Sequence, residues 1–160
     1  MAKPRLYLET TIPSYLTAWP SRDPGIAADQ QTTRDWWQNR RQEFELYISE
    51  FVWNECADGD PAAAKERLIA LEEVPLLDDL PEIDELAAAF MSSGALPERA
   101  ATDALRIAFG AVHEMDYLLT WNCSHIANEE IIKVLRQICY LSGYAFPKIL
   151  TPTQIMEIEI

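Results

Sequence analysis

The fold of this chain is decided by residues 101–128, which read A-T-D-A-L-R-I-A-F-G-A-V-H-E-M-D-Y-L-L-T-W-N-C-S-H-I-A-N. Apolar residues at helical spacing predict an amphipathic helix that carries Asp103 in its first turn. The short apolar strand Tyr117–Thr120 follows and runs into the polar residues Asn122 and His125. A helix start and a strand end meet at the carboxyl edge of a parallel sheet, where open α/β sheets place their sites.

Strands and helices alternate along the rest of the chain. Apolar runs predict four further strands, at Arg5–Glu9, Leu46–Ile48, Val74–Leu77 and Lys148–Leu150. The stretches between them predict helices: a short one from Pro13, then Ile26 to about Phe44, Ser49–Cys56, Ala62–Leu71 with Pro61 before it, Pro81–Met91 and Glu129–Leu141. This alternation predicts one α/β domain over residues 1–160, with a mostly parallel sheet of about five strands flanked by helices.

The composition is that of a folded acidic protein, with 49% hydrophobic residues and a formal net charge of −13. Such a charge argues against indiscriminate binding to nucleic acid. The acidic residues are unevenly spread, since residues 43–85 hold fourteen of them against Lys65 and Arg67. Outside this segment acidic and basic residues are nearly equal in number, so a local phosphate-binding surface is compatible with the sequence.

The cellular location is predicted from two features of the sequence. Cys56, Cys123 and Cys139 are odd in number and lack metal-type spacing, which favours reduced thiols, with Cys139 in the core. No apolar run approaches the roughly 20 residues of a membrane span, and residues 1–5 carry no apolar signal segment. We therefore expect a cytoplasmic protein with no membrane contact.

Four polar residues fall at strand ends or in the first turns of the helices that follow: Glu9, Glu55, Asp103 and Asn122. Oxygen ligands that converge on one cleft suit Mg²⁺ or Mn²⁺. Such a cluster repels itself when empty, so we expect the cation to stabilise the fold and Asp103→Asn to cost little stability. Taken singly, a Glu at a strand end is more often a solvated turn residue, and Asp103 is also typical of a helix start.

Four motifs together resemble the PIN domain. They are L-Y-L-E-T-T-I-P-S-Y-L from residue 6, S-E-F-V-W-N-E-C from residue 49, A-T-D-A-L-R-I-A-F-G-A from residue 101 and D-Y-L-L-T-W-N from residue 116. PIN domains are small metal-dependent ribonucleases, common as VapC-type toxins of bacterial toxin–antitoxin pairs. The resemblance extends from Leu6 to about Thr151 and implies a three-layer sandwich around a parallel sheet.

The resemblance also implies a site. It makes Glu9, Glu55, Asp103 and Asn122 catalytic, with Glu9, Asp103 and Asn122 as metal ligands and Glu55 holding a metal-bound water or a second ion. Hydroxyl support is implied for Thr10 and for Thr120. The expected activity is Mg²⁺- or Mn²⁺-dependent hydrolysis of RNA phosphodiester bonds, with a possible antitoxin partner and a homodimer.

Two departures from the family pattern motivate an alternative function. Glu9 is one methylene longer than the usual Asp, and Asn122 removes a negative charge from a position that is often Asp. The alternative is a PIN fold that binds RNA or a protein without efficient cleavage. A generic α/β small-molecule binder is disfavoured, because the five glycines form no phosphate-binding loop.

The remaining conspicuous residues have two interpretations each. A local hydrogen bond is favoured over phosphate contact for His125, helix capping over a loop contact for Asn128, and contact with its own helix end for His113. For Trp36, Trp37 and Trp53, a place in the core or in a partner groove is favoured over stacking on unpaired bases. The candidates for lining a partner groove are Tyr15, Trp19, Trp36 and Trp37. The best candidates for phosphate contact are Arg34, Arg40, Arg41 and Arg99.

Overall fold

The computed structural model describes residues 2–160. These residues form five strands and eight α-helices, in the order β1 (Arg5–Leu8), α1 (Thr11–Thr17), α2 (Pro24–Asn39), β2 (Glu45–Ser49), α3 (Glu50–Cys56), α4 (Pro61–Leu71), β3 (Leu76–Leu77), α5 (Pro81–Ser92), α6 (Ala101–Val112), β4 (Tyr117–Leu119), α7 (Glu129–Ser142), β5 (Lys148–Leu150) and α8 (Pro152–Met156). Short 3₁₀ turns lie at Arg41–Glu43 and Glu98–Ala100.

The strands form one sheet in the order β3-β2-β1-β4-β5, and every pair is parallel. The predicted α/β class with about five parallel strands is therefore confirmed. Helices flank the sheet as a three-layer sandwich: α5, α6 and α7 pack together, as do α1, α2 and α4. No helix within residues 2–160 is long and apolar enough to cross a membrane.

The core lies between the sheet and its helices. Leu6, Tyr7 and Leu8 of the central strand β1 are fully buried, because both faces of a parallel sheet are covered by helices. Trp36 and Cys139 are also fully buried, so the prediction of Cys139 as a core residue is confirmed. The buried Tyr7 hydroxyl hydrogen-bonds Ser49 Oγ at 2.7 Å and so links β1 to β2 at its carboxyl end.

Capping residues define several helix ends. Ser49 accepts the Val52 N–H at the start of α3, and Asn128 accepts the Glu130 and Ile131 N–H groups at the start of α7. Gly143 ends α7 with φ 85°, a left-handed conformation that glycine adopts without strain. Capping was the favoured interpretation of Asn128, and it is confirmed.

The predicted element boundaries differ most at α2. The breaker cluster before Ile26 begins the helix instead, since Asp23 accepts the Gly25 and Ile26 N–H groups and Pro24 is the first helical residue. The helix ends at Asn39, and the 3₁₀ turn Arg41–Glu43 replaces its expected last turn. The strands β1 and β4 each end one residue early, and β3 begins at Leu76 rather than Val74.

Candidate functional site

The sheet order brings three of the predicted site segments together. The central strand β1 lies between β2 and β4, so the residues that follow these strands share the carboxyl edge. Glu9 lies directly after β1, and its backbone N–H donates to Leu119 O of β4 at 3.1 Å. Asp103 reaches the same edge from the first turn of α6.

Glu9 is the deepest acid of the site, with 3% of the residue exposed. Its Oε1 accepts hydrogen bonds from Thr11 Oγ1 at 2.5 Å, from Thr11 N at 3.1 Å and from Thr120 Oγ1 at 2.8 Å. Its Oε2 accepts no hydrogen bond from residues 2–160 and lies 3.9 Å from Arg106 Nε. One oxygen therefore anchors the side chain, and the other remains available to a ligand.

Glu55 lies on the outer side of the site, with 42% of its side chain exposed. Its Oε1 accepts a hydrogen bond from Thr10 Oγ1 at 2.7 Å and an ion-paired one from Arg106 Nη2. Thr10 and Thr120, the two predicted supporting hydroxyls, thus each contact a site carboxylate. Glu55 is the acid with the most freedom to meet a ligand from solvent.

Asp103 is held by three donors from two segments. Asn122 Nδ2 donates to its Oδ1 at 3.1 Å, Arg106 Nη1 lies 3.3 Å from the same oxygen, and His125 Nδ1 lies 3.1 Å from Oδ2. The sequence favoured a local hydrogen bond for His125. Its ring instead contacts Asp103, which lies twenty-two positions earlier in the chain. His125 is therefore part of the site.

Asn122 organises the loop after β4. Its Oδ1 accepts the His125 N–H at 3.0 Å, and its backbone carbonyl accepts the Ile126 and Ala127 N–H groups. Asn122 was predicted to bind a metal through its side-chain oxygen, Oδ1. In the structure Oδ1 closes the loop by accepting the His125 N–H, and Nδ2 donates to Asp103. Its place as a ligand stays a prediction.

Arg106 lies at the centre of the acids and was missed by the sequence reasoning. Only 5% of the residue is exposed, and its guanidinium contacts Glu55, Asp103 and Glu9. Burial alone lowers the pKa of Arg106, but the hydrogen bond to Glu55 and the charges of Glu55 and Glu9 outweigh burial and raise it. The guanidinium is therefore a permanent positive charge inside the cluster.

Two features of the sequence pointed to the missed residues. Arg106 is the only ionisable residue between Asp103 and His113, in a helix whose other faces are apolar. An Arg three positions after an Asp in a helix is typical of an ion pair, although this spacing does not indicate burial. Thr11 was missed as well: it follows Glu9 by two positions, and its Oγ1 also accepts the Trp121 N–H at 2.8 Å.

Several residues have structural roles away from the site. His113 is the C-cap of α6 and contacts the carbonyl end of that helix through its backbone N–H, whereas its ring lies 2.6 Å from Asp78 O. Arg40 pairs with Glu43 and donates to the Ile155 and Met156 carbonyls, which removes it from the phosphate candidates. Trp36 is buried in the core and therefore cannot line a groove for a partner, as was predicted for it.

The fit of the acids to Mg²⁺ or Mn²⁺ depends on Arg106. Within residues 2–160, no group of three His, Cys, Asp or Glu side chains is placed so that it could hold a metal ion. The guanidinium takes the central position, since it contacts all three acids. The donor chemistry nonetheless fits, because Mg²⁺ keeps several waters and needs only one or two carboxylates, and Glu9 Oε2 is uncommitted.

Comparison with protein-family models and with curated proteins finds no match for this chain.

Proposed function

We propose that this protein is a PIN-like, Mg²⁺- or Mn²⁺-dependent endoribonuclease. The observation that carries the proposal is the convergence of Glu9, Glu55 and Asp103, from three separate segments, on one guanidinium at the carboxyl edge of the sheet. Three acids this close together repel one another unless a counter-charge or a ligand balances them, and Glu9 is also buried. Their arrangement at the sheet edge supports a functional role over a purely structural one.

Each acid has a distinct part in the proposal. Glu9 and Asp103 would hold the divalent cation, and the exposed Glu55 would hold a water beside it. The cation supplies a lowered pKa for water and neutralises phosphate oxygens. Asn122 would orient Asp103 through Nδ2, and its predicted part as a third ligand would use Oδ1, which also accepts the His125 N–H.

Neighbouring side chains orient the carboxylates of Glu9 and Asp103. Thr11 and Thr120 fix Glu9 by Oε1, and its Oε2 lies 3.9 Å from Arg106 Nε. His125 and Asn122 fix Asp103 from the loop after β4.

Among the predicted phosphate contacts, the exposed Arg99 belongs to the 3₁₀ turn just before α6 and so is the closest in sequence to Asp103.

Arg106 is also the observation that favours a second candidate function. A guanidinium that already neutralises part of the acid cluster removes some of the need for a cation. In this second function the same edge binds RNA or a protein without cleaving it. The two functions differ in one measurable property, which is metal-dependent turnover.

The proposal includes a cytoplasmic location, a homodimer and a possible antitoxin. Trp19 supports a protein partner, because 92% of this residue is exposed and it borders a cavity of about 640 Å³. Asp60 and Glu66 line the same cavity and would favour a partner segment with Arg or Lys beside an apolar residue. A short neighbouring reading frame for a DNA-binding protein would support the antitoxin.

The test of the proposed function is cleavage of a mixed-sequence single-stranded RNA in Mn²⁺ and in EDTA. Asp103→Asn removes a charge from the site, and we expect cleavage to fall about a hundredfold to a thousandfold. The matched control is Asp116→Asn, since Asp116 is exposed at the opposite edge of the sheet, where it accepts the Arg5 N–H. Equal cleavage by wild type and Asp103→Asn would overturn the proposed active site.

A further inference from the structure

Arg106 carries a buried hydrogen-bond donor that no protein atom satisfies. Only 5% of the residue is exposed, and its Nε–H has no partner within residues 2–160. A buried donor without an acceptor is costly, and such groups in folded proteins are usually satisfied by protein atoms or by ordered water. The Nε–H group therefore indicates a ligand with an acceptor atom at the carboxylate cluster.

A free acceptor lies close to this donor but out of its reach. Glu9 Oε2 is 3.9 Å from Arg106 Nε, which is beyond hydrogen-bond distance. By comparison, Arg40 Nε donates directly to Glu43 Oε2 at 2.8 Å, which shows the length of a direct contact between these two side-chain types in the same chain. Arg106 and Glu9 are therefore neighbours without a direct hydrogen bond through these two atoms.

Both side chains are held at their other atoms, so neither is free to move onto the other. Thr11 and Thr120 donate to Oε1 of Glu9 from two separate segments. The two terminal nitrogens of Arg106 contact the other two acids of the cluster. A direct contact between Nε and Oε2 would weaken one of these sets of hydrogen bonds, so the packing maintains the distance between the two atoms.

The chemistry of the two atoms selects water as the ligand. Toward Arg106 Nε–H the ligand must accept a hydrogen bond, which a cation cannot do, and toward the Glu9 carboxylate it must donate one, which an anion cannot do. One water oxygen that lies about 2.7–3.2 Å from each atom can span their separation of 3.9 Å. Buried waters with two to four polar partners are a normal part of protein interiors.

We propose that one water molecule bridges Arg106 Nε–H and Glu9 Oε2, so that Arg106 positions all three acids of the site, two by direct contact and Glu9 through this water. The effect on cleavage rests on the proposed function, whereas the water itself does not. Arg106 is a positioning residue, since it acts on the acids and not on the reacting atoms. An ionised carboxylate has about four acceptor positions, so the water leaves Glu9 able to bind a further ligand.

The first test is a high-resolution crystal structure of the metal-free wild type, grown with EDTA. We expect one peak of water density within hydrogen-bond distance of both Arg106 Nε and Glu9 Oε2. Arg40 and Glu43 are the internal control, because they should be in direct contact with no density between them. Direct contact of Arg106 Nε with Glu9 Oε2, or the two atoms apart with no density between them, would overturn the inference and leave the proposed function standing.

The second test measures the effect of the bridge on the proposed reaction. Arg106→Lys keeps the positive charge and removes the Nε–H, so we expect a kcat for RNA cleavage in Mn²⁺ about tenfold to a hundredfold lower, with KM little changed. Arg40→Lys is the matched control and should cleave like wild type, because Arg40 contacts Glu43 and the Ile155 carbonyl away from the site.

The outcomes of the two tests separate the bridge from the proposed function. A kcat for Arg106→Lys equal to that of wild type would overturn the positioning role. Bridging density in a wild type that cleaves no RNA would refute the proposed function and support the water. If Arg106→Lys does not fold, the density in the wild type decides the inference by itself.

Discussion

An arginine lies at each end of the parallel strands, and the two differ in burial and in the number of carboxylates that they face. At the amino edge, Arg5 donates to the His113 carbonyl at 2.8 Å, lies over the Tyr47 ring and meets one carboxylate, Asp116, through its backbone. At the carboxyl edge, Arg106 is buried and faces three carboxylates. Charge is balanced at the first edge and left negative at the second, and such an excess inside a fold is retained where a ligand uses it.

The largest expected difference between the edges is in the free energy of unfolding. Arg106→Ala leaves buried acids without a counter-charge, so we expect a loss of about 3–5 kcal/mol in metal-free buffer. Arg5→Ala removes a partly exposed side chain and should cost about 1 kcal/mol or less. Urea denaturation of both variants measures the difference, and equal losses would show that the carboxyl edge holds no special charge cluster.

The second prediction concerns Asp103 and revises a conclusion from the sequence. Repulsion among bare acids suggested that Asp103→Asn would cost little stability or raise it. Arg106, Asn122 and His125 instead donate to this carboxylate, so the amide loses charge-assisted hydrogen bonds. We expect a loss of about 1–3 kcal/mol, against less than about 1 kcal/mol for Asp116→Asn.

Chemical denaturation of the metal-free proteins distinguishes these two expectations for Asp103. A higher midpoint for Asp103→Asn than for wild type would mean that repulsion dominates the cluster even with Arg106 present. In that case the account of Arg106 as an effective counter-charge would be wrong.

The third and smallest effect is a difference in thiol reactivity. Cys123 is exposed beside Asn122 at the carboxyl edge, whereas Cys56 and Cys139 are fully buried, and burial raises the pKa of each buried thiol to about 12. Near pH 8 the buried thiols remain protonated and inaccessible, so they should react only on unfolding. A disulfide reagent should label one thiol quickly in the native protein, and fast labelling of two would contradict the packing.

The fold was predictable because its signals are local and strong. Alternating apolar strands and amphipathic helices specify a parallel α/β sheet, and the polar residues that follow the strands must meet at its carboxyl edge. The boundary errors arose where capping overrides hydrophobic pattern. At α2, the Asp23 side chain and Pro24 begin a helix inside what the composition marks as a loop.

The site was predictable only as a set of acids. Which oxygen of Glu9 is free, and which group of Asn122 faces Asp103, depends on hydrogen bonds that join residues more than fifteen positions apart. Arg106 was missed because an arginine in a helix is usually exposed, and only the tertiary structure buries this one against three acids. Linear spacing carries no information on such burial.

The central claim is that the carboxyl edge holds an excess of negative charge that a divalent cation neutralises. Thermal unfolding of the wild type and of Asp103→Asn, each with millimolar Mn²⁺ and with EDTA, tests it directly. Binding to the native state alone at about a hundred times Kd adds about 2.7 kcal/mol, which corresponds to a rise in Tm of roughly 5–10 °C for a chain of this size. We predict that rise for wild type and a much smaller one for Asp103→Asn, and an unchanged Tm for wild type in Mn²⁺ would contradict the claim.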